Sequence, residues 1–245
     1  MKTPGLILPL ILASIATADV IDKWSFSEAD GTALGRALSS RGKPMHVHGG
    51  PLVSIKNEQL VFASDGIAGH TFRICEFTDQ AISSGTVEFA FEFSSADFSR
   101  TALSGGSGNI GFDFRDTKGT LKNPGDDAIL GGIRLRFAKG QLLLQSAVQE
   151  QGLRYISIAT LETDILEEVM RIRVQFDFNR SGKPGSMRVF FKLGEAMEIE
   201  ALSDGQLPVD ASLSGFRIAQ QTINGGNNWQ VGDFVAVDNF TIQTL

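Results

Sequence analysis

Tyrosine and histidine, two residue types that can act as general bases, are scarce in this sequence. Tyr155 is the only tyrosine, and His46, His48 and His70 are the only histidines. A tyrosine or histidine can remove a proton beside a carboxylate when cationic and amide side chains neutralise that acid. These four residues are therefore the candidates for the base of an elimination reaction on an acidic, uronate-containing glycan.

Arginines at alternating positions supply cations that such a reaction, or simple binding, would need. Arg134 and Arg136 form one pair, Arg171 and Arg173 form another, and Gln175 continues the second pair. Residues i and i+2 share one face of a strand, so these side chains predict a basic stripe that contacts an acidic glycan. The same arginines are equally explained as ion-pair partners of carboxylates on neighbouring strands. Those carboxylates are Glu88, Glu92, Asp113 and Asp177.

Two other patterns are explained better by surface contacts than by a glycosidase carboxylate pair or a metal site. Glu88 and Glu92 share a strand face, but at i, i+4 they lie roughly 13 Å apart along the strand, too far for the carboxylate pair of a glycosidase. Cross-strand ion pairs explain them better. His46 and His48 also share a face, but no third ligand clusters with them, so they predict a surface pair rather than a metal site.

The loop Asn224–Gln230 has the composition of a sugar-binding loop. An aromatic ring stacks on the face of a sugar ring, and amide groups hydrogen-bond the sugar hydroxyls. Trp229 would be the platform, with Asn227, Asn228 and Gln230 as its polar partners. The alternative is that Trp229 folds back over the edge of the core.

The elements that would position these residues are mainly strands. The clearest is 168–193, where Ile172, Val174, Phe176 and Phe178 alternate with polar residues before a Gly- and Pro-containing turn. Period 2 indicates a strand with one buried face, and the turn predicts an antiparallel hairpin. Similar alternation occurs over 85–93, 109–116 and 133–137, while 94–108 resembles a loop and 162–169 is the only plausible helix.

About a dozen such strands, with almost no helix, predict an all-β fold. We expect a two-sheet antiparallel β-sandwich of jelly-roll size, with many of the 18 phenylalanines between the sheets. No linker, composition shift or repeat divides the chain, so residues 19–245 are expected to form a single domain.

The N-terminal residues indicate the compartment of the protein, and the net charge argues against one class of partner. Lys2, the apolar run 6–12 and the sequence Ala16-Thr17-Ala18 predict a signal peptide over residues 1–18, and the short apolar length argues against a membrane span. We therefore expect secretion, either extracellular or periplasmic. The formal net charge of −6 and the absence of a basic block argue against nucleic acid as a partner.

Three stretches resemble the concanavalin A-like lectin and glucanase superfamily, the laminin-G-like jelly rolls. They are Trp24–Thr32 (W-x-F-x-x-x-D-G-T), the central hairpin 171–191, and the closing strand Val237–Ile242 with its Asp-Asn pair. The resemblance implies the jelly-roll fold, which hosts lectins, glycosidases, lyases and adhesion modules. The Gln-x-His and Tyr-Lys-x-Gly patterns of alginate-lyase-like proteins are missing.

The resemblance also implies a structural Ca²⁺ that ties the first and last strands, with no cofactor required for function. Glu28 or Asp30, together with Asp238, would supply its oxygen ligands, although each is also explained as a turn or strand-end residue. We expect a secreted, non-catalytic module that binds a glycan or another cell-surface ligand. The alternatives are a polysaccharide lyase that uses Tyr155 with a histidine, and a structural envelope protein.

Overall fold

The computed structural model describes residues 18–32, 38–44, 46–48, 53–64, 70–77, 80–117, 128–149, 153–178, 184–221, 223–224 and 227–245. For residues 46–48, 70–76, 149, 221, 223–224 and 227–228 it describes the backbone alone. All but the last residue of the predicted signal peptide lies outside these ranges.

The described chain consists of strands with one short helix. The elements are β1 (Asp19–Trp24), β2 (His46–His48), β3 (Val53–Lys56), β4 (Gln59–Ala63), β5 (His70–Glu76), β6 (Gly85–Asp97), α1 (Ser99–Leu103), β7 (Ser107–Asp116), β8 (Ala128–Ala138), β9 (Gln141–Gln149), β10 (Leu153–Leu161), β11 (Ile165–Leu166), β12 (Met170–Phe178), β13 (Ser186–Leu193), β14 (Ile199–Gln206), β15 (Gly215–Gln221), β16 (Ile223–Asn224), β17 (Asn227–Asn228) and β18 (Phe234–Thr244). No helix within the described ranges has the length and apolar character needed to cross a membrane.

The strands form two antiparallel sheets that pack face to face. One has nine strands in the order β14-β13-β12-β6-β18-β4-β3, with β1 added beside β18 and β11 beside β6. The other has seven strands in the order β10-β9-β8-β7-β15-β5-β2. The predicted all-β, two-sheet antiparallel sandwich is therefore confirmed.

Phenylalanine rings fill the space between the sheets. Phe240 on β18 stacks on Phe216 of the opposite sheet, with ring centroids 4.3 Å apart, and Phe91 stacks on Phe112 at 4.2 Å. Trp24 closes one side with its ring edge against Phe216 and Phe240. Because alternate residues of every long strand enter this layer, the remaining residues are directed to the two outer faces.

The hairpin predicted over 168–193 is present as β12 and β13. Its register pairs Ile172 with Phe191 and Phe176 with Met187. The side chains of Ile172, Val174 and Phe176 are fully buried, as the alternation predicts.

Two local predictions were wrong. Residues 162–169 contain β11 rather than a helix, because Ile165 and Leu166 pair with the end of β6. The predicted loop 94–108 contains the last residues of β6, the helix α1 and the first residues of β7. The buried carboxylate of Asp233 accepts hydrogen bonds from the amides of Arg100 and Thr101 and so holds that helix from a distant part of the chain.

A hydrogen-bonded network covers the outer face of the nine-stranded sheet. Glu88 is only 3% exposed and accepts hydrogen bonds from Arg173, Gln175 and Gln243 at 2.5, 2.7 and 2.9 Å. Arg173 also pairs with Glu198, whose hydrogen bond raises the pKa of Arg173 above its ordinary value. Glu88 on β6 thus accepts hydrogen bonds from residues of β12 and β18, and the network links these three strands.

Removing the Glu88 carboxylate should destabilise the sandwich. In Glu88→Ala, three donors lose their acceptor, and we expect a loss of about 2–3 kcal/mol in the free energy of unfolding. Glu92→Ala, four residues along the same strand, removes the more exposed pair with Arg171 and should cost less than about 1 kcal/mol. Urea unfolding of both variants measures the difference, and equal losses would contradict the central role of Glu88.

Trp229 should be a stability residue. It is fully buried, and its ring lies against Phe98 with centroids 5.1 Å apart. Trp229→Ala should lower the free energy of unfolding by about 3–5 kcal/mol through cavity formation. Val231→Ala, at an exposed position two residues on, should change it by less than about 0.5 kcal/mol. A Trp229→Ala protein with wild-type stability in urea would show that the ring does not pack as described.

Candidate functional site

One row of residues crosses the outer face of the seven-stranded sheet and ends at Tyr155. The strand register aligns Arg217, Asp113, Gly132, Ala147 and Tyr155 on five successive strands. The two central residues are small, and the Tyr155 hydroxyl donates a hydrogen bond across them to Oδ1 of Asp113 at 3.0 Å.

Gly132 is required for this approach. A Cβ atom at that position would lie 2.7 Å from the Phe112 carbonyl oxygen, 3.1 Å from Oδ1 of Asp113 and 3.4 Å from the Tyr155 hydroxyl. Its neighbour Gly131 faces the core, where an added Cβ would lie 2.5 Å from the Met187 sulfur. The paired glycines therefore allow close packing on both sides of β8.

Asp113 is the electrostatic centre of the row. Its carboxylate is 4% exposed, and Oδ2 accepts hydrogen bonds from Arg217, including one from Nε at 2.9 Å, and from Arg115 at 3.4 Å. Two guanidinium groups thus compensate a single buried carboxylate.

The environment keeps Tyr155 protonated. Burial raises the pKa of its hydroxyl well above the ordinary value of 10.0, and the charge and hydrogen bond of Asp113 raise it further. The positive charges of Arg134 and Arg217 act in the opposite direction but are weaker. Tyr155 is therefore a neutral hydroxyl at physiological pH, already committed as a donor to Asp113.

A second row lies beside the first and carries Arg134. The Arg134 guanidinium stacks on the Tyr155 ring, 3.9 Å from its centroid, and its Nε donates to Oε1 of Gln145 at 2.6 Å. Gln145 in turn donates to the Ser157 hydroxyl at 3.0 Å. The side chain is thus held by a ring on one side and an amide on the other.

The two rows enclose a half-open pocket of about 170 Å³. Its polar lining comes from Asn109, Asp113, Arg134, Tyr155 and Arg217. Larger depressions of about 570 Å³ and 510 Å³ lie elsewhere, the first beside residues 208–212 and the second beside residues 160–168. We assign the site to the smaller pocket because charged donors and acceptors, already oriented by one another, converge there.

The predicted arginine stripe is wrong as a single surface. Arg134 and Arg136 lie on β8 of the seven-stranded sheet, whereas Arg171, Arg173 and Gln175 lie on β12 of the nine-stranded sheet. The outer faces of the two sheets point in opposite directions. Arg171 and Arg173 are ion-paired with Glu92 and with Glu88 and Glu198, as the alternative explanation predicts.

The predicted sugar platform at Trp229 is also wrong. The indole lies in the core, and its backbone is fixed because the Trp229 carbonyl accepts a hydrogen bond from Ser64 and the Gln230 amide donates to Thr101. The side chains of Asn227 and Asn228 lie outside the described part of the structure. The alternative, that the ring folds back over the edge of the sandwich, is the one observed.

The histidines and Tyr155 lie on one sheet, but the backbone does not bring them together. His46 and His48 lie on β2, at the opposite edge of the sheet from β10 and Tyr155. His70 lies in register with Gln221 and Asn109, and Asn109 is four residues, about 13 Å, along β7 from Asp113. Their side chains lie outside the described residues, so the pairing of Tyr155 with a histidine stays a prediction.

The residues predicted to hold Ca²⁺ are each engaged with a backbone amide. Glu28, Asp30 and Asp238 accept hydrogen bonds from Leu38, Asn57 and Asn239, respectively. Burial raises the pKa of Asp238 above its ordinary value. Among the described residues, no three His, Cys, Asp or Glu side chains are grouped so that they could hold a metal ion. A structural Ca²⁺ stays a prediction.

Sequence reasoning missed Arg217, Gln145 and Ser157 as parts of the site. Each lies at an outward position of a strand, but the rows appear only once the strand order is known. The available signal was Gly132, a glycine within an alternating strand, which indicates a close approach by another group.

Comparisons with known proteins support the fold. No protein-family model matches the chain, and no curated protein matches it. Among solved structures, a sialidase aligns with a TM-score of 0.55 at 10% identity over 92% of this chain, which spans only 19% of the sialidase. An alginate lyase aligns with a TM-score of 0.52 at 14% identity over 94% of this chain and 97% of its own.

A third structure, a carbohydrate esterase from the Shiga toxin-encoding bacteriophage phi24B, aligns with a TM-score of 0.53 at 10% identity. That alignment covers 93% of this chain and 99% of the esterase. At these identities the likeness concerns the fold. The two-sheet antiparallel architecture agrees with the jelly-roll fold that the three sequence stretches predict.

Proposed function

We propose that the protein is a secreted, non-catalytic glycan-binding module whose ligand lies on the outer face of the seven-stranded sheet. The observation that carries this proposal is the stack of Arg134 on Tyr155 beside a half-open pocket. Sugar rings present hydroxyls and apolar C–H faces together, and this pocket offers partners for both.

The polar partners are already oriented before a ligand arrives. Asp113 fixes the Tyr155 hydroxyl, and Gln145 fixes the Arg134 guanidinium. Side chains held in this way lose little conformational freedom on binding, so more of the interaction energy contributes to affinity. Ile129, Leu153 and Ala219 supply the apolar part of the lining.

The names of the structural neighbours agree with this class of ligand. The sialidase, the alginate lyase and the carbohydrate esterase are carbohydrate-active by name, and all three have this fold. Because a fold alone does not determine function, the proposal depends on the pocket.

A polysaccharide lyase is the second candidate. The convergence of Tyr155 with Arg134 and Arg217 favours it, since such a group could neutralise a uronate carboxylate next to a tyrosine base. However, a tyrosine base must lose its proton, and Asp113 raises the pKa of Tyr155 instead. We therefore favour binding without catalysis.

The third alternative, a purely structural protein, accounts for the ion-paired face of the nine-stranded sheet but not for this pocket.

Tyr155→Ala should abolish most glycan binding. Loss of the ring removes the support of Arg134 and the hydroxyl partner of Asp113, and we expect about 2 kcal/mol, or roughly 30-fold, weaker binding. A glycan array followed by calorimetry on the best ligand measures this change. The control is Arg171→Gln on the opposite sheet, which should bind as the wild type does.

The same samples separate binding from catalysis. Incubation with acidic polysaccharides should give no rise in the ultraviolet absorbance of unsaturated uronate products. A rise that Tyr155→Phe removes would establish the lyase instead. If Tyr155→Ala and wild type bind every glycan equally, the site is misassigned.

The pH dependence of stability should report the protonation of Tyr155. Its pKa is raised in the folded protein, so above pH of about 10 the unfolded chain loses this proton first. The contribution of Tyr155 to stability is therefore complete below about pH 10 and declines as the pH rises further. The advantage of wild type over Tyr155→Phe in urea unfolding should shrink by at most about 1 kcal/mol per pH unit between about pH 10 and 11. A constant difference would mean that Tyr155 is not held neutral, which would strengthen the lyase candidate.

A further inference from the structure

Among the described side chains, the outer face of the seven-stranded sheet carries more arginines than the carboxylate of Asp113 can balance. Arg115 and Arg217 are paired with Asp113, as described above. Arg134 and Arg136 form no ion pair with any carboxylate in the described ranges. The whole chain has a formal net charge of −6, so this excess is local and opposite to the overall sign.

Arg134 and Arg136 are close neighbours with the same charge. They are separated by one residue on β8, so their backbone positions are about 7 Å apart on one face. Burial lowers the pKa of Arg134, and the neighbouring charge of Arg136 lowers it further, although Tyr155 and Asp113 oppose this effect. The negative charge of a bound anion would compensate the cost of this burial and the repulsion between the two arginines.

Each guanidinium has donors that are not satisfied within the described protein. Arg134 uses Nε for Gln145, and its two terminal nitrogens have no protein acceptor in the described part of the chain. The Nε of Arg136 is buried and has no hydrogen-bond partner among the described residues. A planar guanidinium whose terminal nitrogens are free presents the parallel donors that a carboxylate accepts.

We infer that Arg134 and Arg136 bind the carboxylates of an acidic glycan of the polyuronate class, and that Gln145 is the positioning residue for Arg134. The inference rests on the proposed glycan-binding function and specifies the ligand of that site. Gln145 acts by holding Nε, which leaves the terminal nitrogens of Arg134 directed away from the amide, while the Tyr155 ring supports the plane of the group.

The test compares two ligands that differ in the carboxylate alone. Calorimetry would use a uronate oligomer and the same oligomer after reduction of its carboxyls to primary alcohols. Wild type should bind the uronate form at least about 10-fold more tightly, because hydrogen bonds to a charged group are the stronger ones. Raising the salt concentration should weaken binding of the uronate form more than of the reduced form.

Variants then assign the preference to residues. Arg134→Gln should weaken uronate binding by about 10- to 100-fold and binding of the reduced oligomer by less, so that the preference for the uronate form falls. Arg134→Lys should recover part of the loss, because it restores the charge without the planar donors. Gln145→Leu should lower the preference for the uronate form in the same direction but less. Arg136→Gln provides a second independent variant, and Arg171→Gln is the matched control for an arginine on the opposite sheet.

The possible outcomes distinguish a failure of this inference from a failure of the proposed glycan-binding function. Equal, Tyr155-dependent binding of both oligomers by wild type would overturn the carboxylate assignment and leave glycan binding intact. Binding of a sulfated glycan with no binding of the uronate oligomer would overturn it as well. Failure to bind any glycan would remove both the inference and the proposed function. A Gln145→Leu protein with an unchanged preference would overturn the positioning role.

Discussion

The packed phenylalanine layer between the two sheets is the constraint on which the rest of the structure depends. Phe112 of the seven-stranded sheet stacks on Phe91 and Phe240 of the other sheet at centroid distances of 4.2 and 5.8 Å, and this packing fixes which residues of each strand point inward. A shift of one residue in a strand would turn its outward side chains, which include Glu88 on β6 and Arg134 on β8, into that layer. The register of the outer faces, and hence the rows at Tyr155 and Arg134, is therefore set from inside the protein.

Arginines alternate with apolar residues on both sheets, but their neighbours on the two outer faces differ. On the nine-stranded sheet, Glu88 and Glu92 lie on the central strand β6 and accept hydrogen bonds from the arginines of β12. On the seven-stranded sheet, Arg134 is paired in register with Gln145 and Gly111 instead, and neither carries a charge. Among the described side chains, the arginines of the first face are paired with carboxylates of neighbouring strands, whereas Arg134 and Arg136 of the second face are not. This difference directs the search for a ligand to the second face.

Much of the fold could be predicted from the sequence, because alternation over β6, β7, β8 and β12 is a local property. The site could be predicted only in part. Arg134 and Arg171 have the same local pattern, and their roles differ because of strands that are distant in sequence. The two interpretations of Trp229, sugar platform or core residue, could not be separated from the sequence for the same reason, because its contacts with Phe98 and Ser64 come from residues distant along the chain. Tyr155 was identified by its rarity, but its partner Asp113 became evident only from the strand order.

The adjacent glycines in β8 limit which positions of this surface can be substituted. Gly131 faces Met187 in the core and Gly132 faces Asp113 and Tyr155 on the outside, so neither position can accept a larger residue without disturbing a different layer. Ser157, by contrast, is exposed on an edge strand and touches the site only through Gln145. Substitutions would therefore be tolerated best at exposed positions of β10 such as Ser157, provided that Tyr155 is kept, whereas substitutions of the two glycines would disturb the packing of β8. A library that randomises these edge positions and keeps Gly131 and Gly132 would vary the contacts with a ligand while it preserves the packing of the sheet.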